Sequence, residues 1–294
     1  MISRRRFFQI GAGLALVPAS GAAYAGYIEP AVRLEVTRYR PRLPAWPSNF
    51  PLRIAIVTDI HAGGPNMSLA RIEQVVETVN ALKPDLILDL GDHEATNRFI
   101  TPVPTRDWAK TLGHLQAPLG TFAILGNHDW WHNHSAVRGA IADAEIPLFE
   151  NDAVRIEHQG RGFWLAGIGD QLAEIVGHGR FRGRDDLPGT LAKVTTDEPI
   201  LLMVHEPDIF PDVPERVALT FAGHTHGAQI WFPGMTPRFI PSAYGARYRY
   251  GHIMEGGRHM IVSAGLGTSG IPVRFGVPPE IVLVELGAAS RGEA

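Results

Sequence analysis

Short apolar runs that stop abruptly at polar residues recur along this chain. Leu52-Arg53-Ile54-Ala55-Ile56-Val57-Thr58 is rich in β-branched residues and ends in Asp59-Ile60-His61. Leu86-Ile87-Leu88-Asp89-Leu90 ends in Gly91-Asp92, and Thr121-Phe122-Ala123-Ile124-Leu125 ends in Gly126-Asn127-His128-Asp129. Pro199-Ile200-Leu201-Leu202-Met203-Val204 runs into His205, and Val217-Ala218-Leu219-Thr220-Phe221-Ala222 runs into Gly223-His224-Thr225-His226. Runs this short, bounded by turn residues, have the character of buried strands. After Ser68, a helix N-cap, Leu69, Ile72, Val75, Val76, Val79 and Leu82 recur at helical spacing as far as Pro84. A second helix is expected over residues 136–144, and further strands over 154–157 and 163–168. In open α/β sheets the loops beyond strand C-termini converge on ligands, and five of these runs deliver polar residues there.

The N-terminus breaks this pattern. Ser3-Arg4-Arg5-Arg6-Phe7-Phe8-Gln9 precedes a weakly apolar run over residues 10–17 and small residues closing on Ala23-Tyr24-Ala25. A charged start, an apolar stretch and an A-x-A-like cleavage site make a secretory signal over 1–25. The paired arginines followed by Phe-Phe resemble a twin-arginine signal, read by the machinery that exports folded proteins. A permanent anchor is the rival reading, since residues 10–28 are nearly uncharged; Pro18 and the many Gly and Ala residues make a poor membrane span. The expected location is across, or attached to, the cytoplasmic membrane, in the periplasm or cell envelope, with peripheral membrane contact as a further partner. Residues 26–50 are basic and proline-punctuated and read as an extended lead-in, 51–288 as the catalytic domain and 289–294 as a tail.

Composition narrows the chemistry. The 294 residues carry a formal charge of −3, and removing Arg4, Arg5 and Arg6 with the signal leaves 24 basic against 30 acidic residues, so a nucleic-acid partner is not expected. There is no cysteine, which excludes disulfides, thiolate-held metals and thiol catalysis. Each polar motif alone is weak, but two Asp, one Asn and four His at strand ends form a set with metal-ligating character. Carboxylate, amide and imidazole donors without thiolate suit Mn, Fe, Zn or Co. Two ions need a bridging ligand, and Asp92, alone at its strand end, is the natural candidate.

The order Asp59-x-His61, Gly91-Asp92, Gly126-Asn127-His128-Asp129, His205, Gly223-His224-Thr225-His226 resembles the calcineurin-like metallophosphoesterase superfamily. The nearer resemblance is to exported, membrane-associated bacterial members. It rests also on His205-Glu206-Pro207-Asp208, Gly227-Ala228-Gln229-Ile230 and Gly265-Leu266-Gly267-Thr268-Ser269-Gly270 with Pro272-Val273-Arg274-Phe275. Ala228, where a second glycine is usual, and His93, where a small or apolar residue is commoner, depart from the pattern. The resemblance implies an α/β fold of two facing mixed β-sheets flanked by α-helices, with a dinuclear site at the strand C-termini. It places one of two divalent or trivalent ions on Asp59, His61, Asp92 and His226 and the other on Asp92, Asn127, His205 and His224. A bridging hydroxide would then attack a phosphodiester or monoester, on an envelope or phospholipid-type substrate, with His128 as acid or transition-state stabiliser and Asp129 orienting its ring. Trp130 and Trp131 are core or pocket wall, and Arg247 and Arg274 are candidates to grip a phosphate oxygen. The non-enzymatic alternative is an inactive phospho-ligand-binding member, which should have lost a ligand or His128; none is lost.

Overall fold

In the computed structural model, residues 20–236 and 240–287 are described. The runs expected as strands form two sheets. β1 (Glu35–Tyr39), β2 (Leu52–Val57), β3 (Leu86–Asp89) and β4 (Thr121–Ala123) belong to the first. β5 (Asp152–His158), β6 (Arg161–Gly167), β7 (Ile200–Met203), β8 (Val217–Ala222), β9 (Gly251–Glu255) and β10 (Arg258–Val262) make the second. The last strand, β11 (Glu280–Leu286), returns to the first sheet. The strand orders are β1-β11-β2-β3-β4 and β9-β10-β8-β7-β6-β5. Both sheets are mixed: β2, β3 and β4 are parallel neighbours with β11 antiparallel to β2, and β6, β7, β8 and β10 are parallel with β5 and β9 antiparallel at the edges.

Period-two alternation explains how the sheets stack. Leu52, Ile54 and Ile56 of β2 face inward and pack with Phe163, Leu165, Leu201, Met203, Leu219 and Phe221 of the other sheet. Ala55 and Val57 face outward with Ile87, and are covered by Ile72, Val75, Val76 and Val79 of α1 (Leu69–Ala81), Trp108 and Leu112 of α2 (Thr105–Leu112), and Val137 and Ile141 of α3 (Asn127–Asp143). The outer face of the second sheet is covered by Leu187 of α4 (Leu187–Ala192), Ile209, Phe210 and Tyr248. Each fully buried Leu, Ile or Phe contributes roughly 1.5–3 kcal/mol, so three apolar layers hold two sheets and their helices as one unit. Ser68 caps α1 as expected, accepting from the Arg71 N–H at 3.4 Å.

Two expectations need correction. The lead-in over 26–50 is not merely extended. A helical strap (Tyr24–Val32, π-type) and β1 precede residue 51, and Leu43, Trp46 and Phe50 lie in the inter-sheet core. The sequence around Ala23-Tyr24-Ala25 lies in this helical stretch, with the Ala25 carbonyl accepting from Arg274 N at 2.9 Å and the Glu29 carboxylate, fully buried, accepting from Val277 N at 2.7 Å. The catalytic fold therefore extends N-terminal of residue 51. The helix expected over 136–144 begins earlier, at Asn127, and kinks at Asn133 (φ −157°, ψ 77°). The twin-arginine motif and the whole apolar run over residues 10–17 lie outside the described residues.

Candidate metal centre

The ligand candidates sit where β2, β3, β4, β7 and β8 end. Loop-to-loop hydrogen bonds draw these ends together: Asp59 N donates to Gly91 O (2.9 Å), His61 N to Asp92 O (3.0 Å) and Gly223 N to His205 O (3.1 Å). The approach is too close for side chains at the flanking glycines. A Cβ on Gly126 would lie 2.3 Å from Asp92 Oδ1, and one on Gly223 2.4 Å from Asp59 Oδ2. Asp59, His61, Asp92, His224 and His226 all adopt left-handed backbone (φ 42° to 68°), a conformation L-residues avoid and functional sites tolerate.

Two of the buried trios of metal-competent side chains are built from these candidates alone. Asp59, His61 and His226 form one; Asp92, His205 and His224 form the other. In the first, His61 Nε2 and His226 Nε2 lie 3.1 Å apart and His226 Nε2 lies 3.4 Å from Asp59 Oδ1. Between the trios stands one oxygen, Asp92 Oδ2, 3.5 Å from His61 Nε2 and 3.2 Å from His205 Nε2. The other Asp92 oxygen is engaged, accepting from the His128 N–H at 2.8 Å. The rings are aimed from behind: His61 Nδ1 bonds Glu94 O at 3.0 Å and His205 Nδ1 bonds Leu90 O at 2.7 Å, which leaves each Nε2 facing the centre. Such backing bonds fix tautomer and orientation in metal-ligating histidines.

Burial and charge set the protonation states. Burial pushes His61 down to about 4 and His224 to about 3, so both rings are neutral at neutral pH, the form that ligates. Burial pushes Asp59 up to about 6. It opposes ionisation of Asp92 as well, but His205, His128 and His61 around it outweigh that and hold its carboxyl well below the usual range. Asn127 Oδ1, His205 Nε2 and His224 Nε2 are buried with no hydrogen-bond partner. Orphaned acceptors cost a few kcal/mol each unless satisfied, and these converge with carboxylates on one spot, so the donor set fits metal cations.

His128 sits at the rim, partly exposed. Its Nδ1 is hydrogen-bonded to the Thr96 hydroxyl, its Nε2 lies 3.2 Å from Ser269 Oγ, and its ring meets His61 edge-on at 4.7 Å. Asp129 does not orient it. That carboxylate is fully buried and accepts from the N–H groups of Asp92, His93, Glu94 and Gly126, and it contacts His93 Nδ1 at 2.9 Å. His93 Nε2 in turn lies 2.8 Å from Asp89 Oδ2, with its ring stacked on Trp108 at 4.8 Å. Burial disfavours a charge on His93, yet Asp89 and Asp129 together raise its pKa well above the usual imidazole value, so a cation sits between two carboxylates and fastens the Asp92 turn. The departure at His93 was the sequence signal for this network; Ser269 stood out only as part of the motif over residues 265–270, and Thr96 gave none.

The arginine expectations also change. Arg274 is fully buried and spends its guanidinium on the carbonyls of Gly267, Val277, Ala264 and Gly265, bracing the loop whose Gly265 abuts Asp59. Arg247 is paired with Glu255 at 2.7 and 2.8 Å. Arg247 does not reach the centre, and Arg274 touches it only from behind, its Nη2 3.3 Å from His226 Nδ1. Trp130 packs under the helices with Arg138 over its ring, whereas Trp131 lies 5.1 Å from the His128 ring.

Residues 52–228 match the family model of the calcineurin-like phosphoesterases. The chain is 31% identical to the metallophosphoesterase YkuE of Bacillus subtilis over 97% of its own length and 98% of that protein. It is also 31% identical to the phosphodiesterase YaeI of Escherichia coli, over 97% and 100%, and 30% identical to a metallophosphoesterase of Aquifex aeolicus, over 86% and 92%. With buried Asp, Asn and His donors converging at the ends of five strands, the chain belongs to the calcineurin-like phosphoesterase family and is a metal-dependent hydrolase of phosphoester bonds.

Proposed function

We propose that this chain is a two-metal phosphodiesterase, exported by a twin-arginine signal and acting on a phosphodiester of the cell envelope. The observation that carries the two-metal reading is Asp92 Oδ2, which faces His61 Nε2 on one side and His205 Nε2 on the other, at 3.5 and 3.2 Å. Asp59, His61, His226 and Asp92 would hold one ion, and Asp92, Asn127, His205 and His224 the second, with Mn, Fe, Zn or Co suited to these donors. Bound ions would neutralise the phosphate oxygens and bring the pKa of a coordinated water toward neutrality.

The chain's own groups do the rest. The His128 N–H grips Asp92 Oδ1 and keeps Oδ2 turned to the centre. The Thr96 hydroxyl fixes the His128 ring through Nδ1, so that a proton on Nε2 faces the site mouth, placed for the leaving oxygen. Ser269 Oγ, 3.2 Å from Nε2, is displaced by substrate or shares that proton with it. The diester preference is supported by the name of the E. coli relative, a phosphodiesterase.

Assays of bis-p-nitrophenyl phosphate against p-nitrophenyl phosphate, with added Mn and with chelator, test the reading. Diester cleavage should exceed monoester cleavage and vanish with chelator. Cleavage that survives exhaustive metal removal, or a strong monoester preference, would contradict it.

A further inference from the structure

Three loops meet at His128, and each shows large apolar side chains to solvent. The loop at 96–100 holds Nδ1 through Thr96 and is tied across the mouth by Asn97 Nδ2 to Gly270 O at 2.8 Å; its Phe99 is 55% exposed. The hairpin Glu174–Gly177/Arg180–Arg182 leans on the site through Phe181, stacked on Trp131 at 5.4 Å, and its Ile175 is 60% exposed. The third loop follows Ser269, beside His128 Nε2, with Ile271 exposed. Exposed hydrophobics scattered singly need no explanation, but these gather around one opening. Arg98 and Arg180, also exposed there, have no carboxylate partner among the described residues.

The strap continues this rim. Tyr24 packs edge-on to Phe275 at 6.0 Å, Phe275 meets exposed Phe232 at 6.4 Å, and Tyr27 and Ile28 point to solvent. No helix among the described residues is long and apolar enough to cross a membrane.

We infer that the mouth of the metal centre is a docking surface for an anionic lipid surface, its apolar side chains entering the headgroup boundary while Arg98 and Arg180 meet lipid phosphates. Apolar insertion with electrostatic attraction is how interfacial proteins bind anionic bilayers. The inference deepens the phosphodiesterase reading and rests on it for the substrate: the scissile diester is that of a lipid headgroup lying in the plane the rim touches.

The absence of cysteine makes a direct test available. Phe99→Cys, Ile175→Cys and Met254→Cys, each in the full chain, are labelled with an environment-sensitive dye. Met254 is exposed on β9 near its Glu255 end, away from the site end of the sheet. Vesicles of phosphatidylcholine containing phosphatidylglycerol should shift the emission of labels at 99 and 175 to the blue, more than phosphatidylcholine alone, and leave 254 unchanged. No shift at 175, equal shifts at all three positions, or a shift that follows protein concentration without vesicles, as self-association would give, overturns the inference. Hydrolysis of bis-p-nitrophenyl phosphate by the same samples reads the phosphodiesterase activity separately, since that soluble diester needs no surface.

Discussion

At the residue scale, the ligand candidates were readable because imidazoles and carboxylates cluster after apolar runs, a local pattern. The backbone that presents them was not. Five of the seven ligand candidates are left-handed, and nothing in an Asp or His announces a positive φ. Ala228 shares that conformation at φ 74° and has no ligand role to justify it. Left-handed backbone costs an L-residue roughly 1–2 kcal/mol, offset in part by the greater unfolded-state entropy of glycine. Ala228→Gly should therefore raise unfolding stability by about 1 kcal/mol in urea titrations; a loss would show that the Ala228 methyl packs usefully. His128 lies at the rim of the ligand candidates, but its partners, Thr96 and Ser269, come from segments 32 and 141 residues away, and neither announces that contact in the sequence. His128→Ala should keep its metals and lose diesterase kcat by about 10²-fold or more. Full turnover with both metals retained would reduce His128 to a support for Asp92.

At the element scale, the strands ending in ligands were legible because each is a buried run closed by glycine. The helix α3 was seen only in its second half. Its first turn, Asn127 to Asp129, reads as a loop of ligands, yet Asp129 accepts from the Gly126 N–H at 3.0 Å and so closes the helix start on itself. That contact explains why Asp129 serves the turn and not the His128 ring. The resulting cage, Asp89–His93–Asp129, joins the end of β3 to the start of α3 beneath Asp92. Removing the cation from such a buried set strands two carboxylates, at a cost of about 3–5 kcal/mol. His93→Gln should show that loss in denaturant midpoint and lower metal retention with it. A variant of unchanged stability would mean that the two carboxylates share a proton instead.

At the scale of the whole molecule, two facing sheets with helices outside follow from runs that are apolar on both faces in the middle of the chain. The edges were illegible. β1 pairs in parallel with β11, joining Glu35 to Glu280 in register, and its pattern of half-buried residues just before a proline-punctuated stretch gives no local strand signal. The strap was hidden for a similar reason: its fastening, Glu29 to Val277 N and Ala25 O to Arg274 N, is entirely non-local. These contacts tie the strap to the loop that packs on Asp59, so the strap and the candidate metal centre are mechanically continuous.

The arrangement stands or falls on Asp92 as the ligand common to two ions. Metal content per chain, measured by elemental analysis after reconstitution and desalting, reads this directly. The wild type should retain two ions and Asp92→Ala fewer than one, with diesterase activity lost in proportion. A wild type saturated by one ion at full activity, or Asp92→Ala keeping both, would contradict the shared-oxygen site.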